Sequence, residues 1–204
     1  MGERALIRRA RQLEIARKFI GHLNRDLVDA VIQCGLGDWA EGPALKETFG
    51  GRVPFLAVDP VPRYIHEAIK DGFPGVLLRA ALWSESAGWF EFHDRRTRTS
   101  MLSEVDKNKK TIRARRLTLD HAVEEAHISF RHAFLWMDCE GSEHEILKAA
   151  KRTIYHTEYI LCELKEQPKI DGWLSAKELT NIFEGLGFSL IVNIRGDGLF
   201  GRKR

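Results

Sequence analysis

The chain has 204 residues, of which 44% are hydrophobic and 30% charged, with a formal net charge of +3. That length and composition fit one domain with its own core and exclude a disordered chain, while the net charge is too small to imply a nucleic-acid partner. Cys34, Cys139 and Cys162 are scattered through apolar runs, which argues against a disulfide framework and for reduced, buried thiols; no CxxC or HxxxH spacing offers a metal site. Charges interrupt the first ten positions, so no signal peptide is expected. No run of about 18 apolar residues exists to form a transmembrane helix, and the expected compartment is the cytoplasm.

Residues 4–23, within an N-terminal region 1–26, predict a basic amphipathic helix with Leu6, Ala10, Leu13, Ala16 and Ile20 at helical spacing. A helix lying across the domain edge, basic face in water, is favoured over one bound to a membrane or an anionic partner. Short apolar runs follow at 29–34, 53–58, 75–82, 133–137 and 159–164, as expected of strands buried on both faces of a parallel sheet. Helix-like stretches alternate with them at 41–49, 64–71, 119–126, 143–153 and 175–186. This alternation predicts a doubly wound α/β sheet in a single domain spanning 1–204. Residues 188–193 and 199–202 read as closing strands, with Arg195-Gly-Asp-Gly198 as their turn. Residues 89–93 have period-two patterning and predict an extra strand or hairpin. Residues 95–116 are basic and weakly patterned, and predict a loop or insertion, either over the site or merely on the surface.

The first chemical signal is Gln33-Cys-Gly35-Leu-Gly37-Asp38 at the end of an apolar run. Glycines there let backbone approach a ligand closely. A second run ends at Asp59, about two dozen residues on, the spacing of an acid that binds ribose hydroxyls. Together they suggest a nucleoside-cofactor half-site; a tight turn plus a capping Asp is the plain alternative. A dinucleotide turn would bring a third glycine and a phosphate-friendly helix end. Here no basic residue lies between Gly35 and Lys46, and the turn carries Asp38. Electrostatics therefore favour S-adenosylmethionine, with its amino group and sulfonium, over NAD. The second signal is Asp138-Cys-Glu140-Gly-Ser-Glu143 after a third apolar run. Ser142 as helix cap, with Glu143 and Glu145 in the first turn, explains part of it. Asp138 and Glu140 remain as candidates to bind an acceptor hydroxyl or act as general base.

These motifs resemble the FkbM family of S-adenosylmethionine-dependent methyltransferases. The resemblance rests on Gly35-Leu-Gly37, Asp59-Pro60-Val-Pro62, Ala80-Ala81-Leu82-Trp-Ser84 and Asp138-Cys-Glu-Gly-Ser-Glu143, and covers about residues 28–194. Glu163 and Leu186-Gly-Phe188 match in order. The resemblance implies a Rossmann-like class I methyltransferase sheet: seven strands, mostly parallel, the last antiparallel, preceded by the N-terminal helix. It implies Gly35 and Gly37 beside the amino-acid end of the cofactor, Asp59 with Pro60 at its ribose, Ala81 and Leu82 near adenine, and Asp138 near the methionine moiety and transfer site.

Two departures stand out. The family's acid two residues before the first glycine is Gln33 here, and the glycine turn is shorter. Gln33 keeps a carbonyl for the cofactor ammonium without the charge, and Asp38 is a candidate to compensate. The expected reaction is methylation of a hydroxyl on a small molecule or sugar, with Asp138 or Glu140 as base and His66 and His93 as weaker candidates. Rival readings are a nucleic-acid methyltransferase using the basic segment 95–116 and the basic C-terminus, a nicotinamide oxidoreductase, and a non-catalytic S-adenosylmethionine-binding module on the same fold. Acceptor and oligomeric state have no signature in the sequence.

Overall fold

The computed structural model describes residues 3–93, 111–168 and 172–204. In chain order the first elements are α1 (Glu3–Ile20), β1 (Ala30–Cys34), α2 (Gly42–Phe49), β2 (Phe55–Val58), α3 (Pro62–Lys70) and β3 (Val76–Leu78). Next come β4 (Ala81–Leu82), β5 (Trp89–His93), β6 (Thr111–Leu117), α4 (Leu119–Glu125), β7 (Ala133–Met137) and α5 (Glu143–Lys148). The chain closes with α6 (Lys151–Tyr155), β8 (Thr157–Glu163), α7 (Ala176–Gly185), β9 (Phe188–Ile194) and β10 (Asp197–Arg202).

Seven strands form one sheet in the order β3-β2-β1-β7-β8-β10-β9. All neighbours are parallel except β10, which runs antiparallel to both β8 and β9. This is the predicted doubly wound sheet with an antiparallel last strand. Side chains alternate across it, as the pleat requires. Ile32, Cys34, Leu56, Val58, Leu135 and Met137 join one core cluster, with residues of α4 to α7. Val31, Phe55, Phe134, Tyr159 and Leu161 join the other, with α1 and α2.

Several boundaries differ from the sequence reading, each for a physical reason. The apolar run 75–82 is two strands: β3 extends the large sheet, whereas β4 pairs with β6 in a separate three-stranded sheet ordered β4-β6-β5. The basic segment expected as a loop over 95–116 therefore ends in a strand, since Thr111–Leu117 pairs antiparallel with Trp89–His93. Residues 95–110 lie outside the described residues. The single helix expected at 143–153 is divided into α5 and α6. Asp120 of α4 accepts the Arg152 and Thr153 backbone N–H groups at 2.9 and 2.7 Å, giving α6 an N-terminal cap supplied by another helix. Between β9 and β10 the turn is only Arg195-Gly196, both with positive φ, the two-residue form that suits a twisted hairpin. Asp197 thus belongs to the strand.

Helix α1 packs on the sheet through its C-terminal half. Ala16, Phe19 and Ile20 are buried, whereas Leu6 and Ile7 are 51% and 62% exposed. The stripe expected to include Leu6 and Ala10 is thus apolar contact only from Leu13 onward. Among the described residues, no helix is long and apolar enough to cross a membrane.

Candidate active site

A cavity of about 670 Å³ opens at the carboxyl ends of β1, β2, β7 and β8. Ligands collect at this edge in open α/β sheets because strand order reverses there and leaves a crevice. Here the reversal falls between β1 and β7.

The turns leaving those two strands are built against each other. Gly35 has φ +82, and a Cβ there would sit 2.0 Å from the Asp138 carbonyl oxygen, so only glycine fits. Asp138 N–H donates to the Cys34 carbonyl at 2.9 Å, and the Cys139 thiol donates to the same oxygen at 3.1 Å. Gly37 has φ +52 but nothing within 4 Å of a built Cβ. It shapes the backbone and leaves open space beside it.

Asp59 lies at the end of β2, 4% exposed. Its Oδ2 accepts the Leu36 N–H at 2.8 Å and its Oδ1 the Val61 N–H at 2.7 Å. Burial pushes its pKa up to about 6 against the pull of these N–H groups. The carboxylate thus pins the glycine turn to the turn after β2, a role that spacing alone did not disclose. Pro60 and Val61 complete that wall.

In the β7 turn, Glu143 Oε1 accepts the Cys139 N–H at 2.8 Å, and Ser142 Oγ donates to the Cys139 carbonyl at 2.8 Å. Ser142 makes no side-chain cap to α5, contrary to its expected role. Glu140 and Gly141 have φ +49 and +96, and the Trp173 ring covers Gly141, where a Cβ would come within 2.3 Å. The Asp138 carboxylate accepts no hydrogen bond among the described residues and faces the cavity. The carboxylate is open on the cavity side, and desolvation by the protein around it, with Glu163 nearby, raises its pKa to about 6. Glu143 is raised to about 7, chiefly by burial.

Of the predicted cofactor residues, Gly35, Gly37, Asp38, Asp59, Pro60, Leu82 and Asp138 line the cavity, and so does the predicted catalytic Glu140. Two do not. Gln33 lies beneath the cavity, 2% exposed. Ala81 points to the small sheet, where it clusters with Val61, Ile112 and Ala114; its neighbours Ala80 and Leu82 face the cavity, as strand alternation demands. Of the tryptophans, Trp39 is buried against Phe73, Trp83 meets Phe90 edge-on, and Trp89 is 56% exposed beneath Arg113. Trp136 lines the cavity instead. His66 is exposed on α3 and lies outside the lining, and the side chain of His93 lies outside the described residues.

Several lining residues were not anticipated. Arg8 and Gln12 reach the cavity from α1, and Arg8 pairs with Asp38. Glu41 enters from the N-terminus of α2. Lys165, just beyond β8 and paired with Glu163, and Asp197, at the start of β10, also enter. Asp197 stands opposite Glu163 in the ladder, and burial beside Asp138 and Glu163 raises it to about 7. Its signal was topological: an antiparallel strand begins at the edge where its parallel neighbours end.

Sheet order, the antiparallel last strand and the cavity over the β1 and β7 turns define a class I methyltransferase fold. Residues 33–190 match the FkbM methyltransferase domain, and the chain belongs to that family. Among solved structures it is similar to the FkbM methyltransferase of Methylobacillus flagellatus KT, with 13% identity, a TM-score of 0.52 and 85% of this chain covered. The chain spans 43% of the length of that protein. It is also similar to a ribosomal protein L11 methylase from Lactobacillus delbrueckii subsp. bulgaricus, with 11% identity, a TM-score of 0.50, and 94% of this chain and 77% of that one covered. At these identities the likeness is one of fold. Among curated proteins no match is found.

Proposed function

We propose that this chain is an S-adenosylmethionine-dependent methyltransferase acting on a hydroxyl of a small molecule or sugar. The observation that carries the reading is the Asp138 carboxylate, open to a cavity whose adjoining wall is the Gly35–Gly37 turn pinned by Asp59. The residues suit the cofactor. Open space beside Gly37 admits a ligand against backbone, Asp59 retains lone pairs for ribose hydroxyls, and Leu82 and Val61 give an apolar wall for a base. S-adenosylmethionine, when bound, supplies a methyl group on a sulfonium, which a nucleophile displaces in line.

The protein's share is positioning and proton management. A hydroxyl acceptor loses a proton as it becomes nucleophilic, and Asp138 is placed to take it. With a pKa near 6 it is mostly ionised at pH 7 and basic enough to accept a proton. Glu140, on the same turn, is placed to bind the acceptor. Among the described lining residues, eight carboxyl groups stand with three cations, Arg8, Arg63 and Lys165, and the balance stays acidic at pH 7 even with Glu41 protonated and Asp197 only partly ionised. That field repels polyanions, so the acceptor end favours neutral or cationic small molecules over a nucleic-acid backbone.

Isothermal titration with S-adenosylmethionine, S-adenosylhomocysteine and NAD tests the reading. Micromolar binding of the first two and none of NAD is expected; absence of binding by either adenosyl ligand overturns it. An acceptor screen would then start with sugars and small hydroxylated metabolites.

A further inference from the structure

The family's usual acid before the first glycine is Gln33 in this chain, and Gln33 does not reach the cavity. It is 2% exposed; its Nε2 donates to Glu41 Oε1, and its own Oε1 has no partner among the described residues. The residue that does reach the cavity from there is Glu41.

The surrounding backbone fixes where Glu41 points. Trp39 is 1% exposed with φ +47, and Gly42 packs against its ring so tightly that a Cβ would lie 2.4 Å from it. The chain is thereby turned sharply into α2, whose first position beyond Gly42 is Pro43. Glu41, at the N-cap, uses its carbonyl to accept the Ala44 and Leu45 N–H groups, while its side chain makes no cap. The side chain instead lies on Gln33, facing the cavity. Of the acids nearest the glycine turn, Asp38 pairs with Arg8 and Asp59 holds two backbone N–H groups, while Asp138 stands on the neighbouring turn at the acceptor end.

We infer that Glu41, seated on Gln33, is the carboxylate that receives the cationic ammonium end of the adenosyl cofactor, so that the family's acid has moved from β1 to the start of α2. This rests on the cofactor reading above. Gln33 explains why the exchange is stable. A glutamine offers both a donor and an acceptor, so it supports the neighbouring carboxyl whether ionised or protonated, whereas a second carboxylate would repel it. Burial, with Asp138 and Asp38 nearby, raises Glu41 to about 8, so without a cation it holds a proton at pH 7. An ammonium favours the ionised form, and binding expels that proton.

Titration of the full chain with S-adenosylhomocysteine and with 5′-methylthioadenosine, which lacks the amino-acid end, tests this. In Glu41→Gln, S-adenosylhomocysteine affinity is expected to fall at least tenfold while methylthioadenosine affinity stays within about twofold. At pH 7 the wild-type protein is expected to release about one proton on binding S-adenosylhomocysteine and none on binding methylthioadenosine, read from titrations in buffers of different ionisation enthalpy. Unchanged S-adenosylhomocysteine affinity in Glu41→Gln, or equal weakening of both ligands, overturns the assignment and leaves the cofactor reading standing. Wild-type protein that binds neither ligand overturns both.

Discussion

The turn after β1 and the turn after β7 both carry glycine at positive φ and both face the cavity, yet they are held in opposite ways. The β7 turn is closed by near neighbours: Glu143, four residues on, accepts the Cys139 N–H, and Ser142 bonds the Cys139 carbonyl. The β1 turn is closed from outside by Asp59, 23 residues from Leu36, while Glu41 and Gln33 meet beneath it. The locally closed turn has Asp138 open to the cavity without a hydrogen bond among the described residues. The remotely closed turn has its acids engaged by other parts of the fold. A spacing motif therefore describes the β7 turn almost completely and the β1 turn only in outline.

The strongest way to break both turns at once is Gly35→Ala. It combines a left-handed backbone with a Cβ 2.0 Å from the Asp138 carbonyl, and is expected to cost on the order of 3 kcal/mol or more in urea unfolding. Gly37→Ala shares the positive φ but meets nothing within 4 Å, so it is expected to cost only about 1 kcal/mol. Equal costs would show that backbone strain alone, and not the contact between turns, governs this edge.

Asp138→Asn separates chemistry from architecture. The side chain holds nothing in place, so stability is expected to change little, whereas turnover on an identified acceptor is expected to drop roughly 100-fold or more. Turnover near wild type would remove Asp138 as base.

Removing the two closures sharpens the contrast. Asp59→Ala leaves two backbone N–H groups without their acceptor and Glu143→Ala leaves one, so losses of about 2–4 and 1–3 kcal/mol are expected, read by chemical denaturation. Only Asp59→Ala is expected to weaken adenosyl-ligand binding strongly as well.

The last contrast is in pH dependence. Folding raises Glu41 from 4.5 to about 8 and Glu143 from 4.5 to about 7, chiefly by burial. Asp59 rises from 3.8 to about 6, and Asp197 from 3.8 to about 7. A carboxyl whose pKa is higher folded than unfolded favours the folded state below its unfolded value and loses that contribution as pH rises through the folded value. The ligand-free protein is therefore expected to melt progressively lower between about pH 5 and 8. Glu41→Gln is expected to flatten the last part of that fall, near pH 7–8. A Tm that climbs over this range would contradict the burial of these groups.

Much of the architecture was legible because it is local. Runs of apolar residues between turn-formers marked the strands of the large sheet, and Gly35, Gly37, Asp59 and the Asp138–Glu143 motif marked the edge where the cavity opens. The misread boundaries lie where distant residues intervened: Asp120 capping α6 and β6 recruiting Ala81 and Leu82 away from β3. Periodicity and motif spacing depend on backbone sterics and side-chain burial within a few residues, which the order of amino acids encodes directly. The identity of the acids that share the cavity depends on which strand ends lie side by side. Glu41, Lys165, Asp197 and the Arg8–Asp38 pair came together only when the sheet order and the antiparallel direction of β10 were set, because charge acts through space and not along the chain.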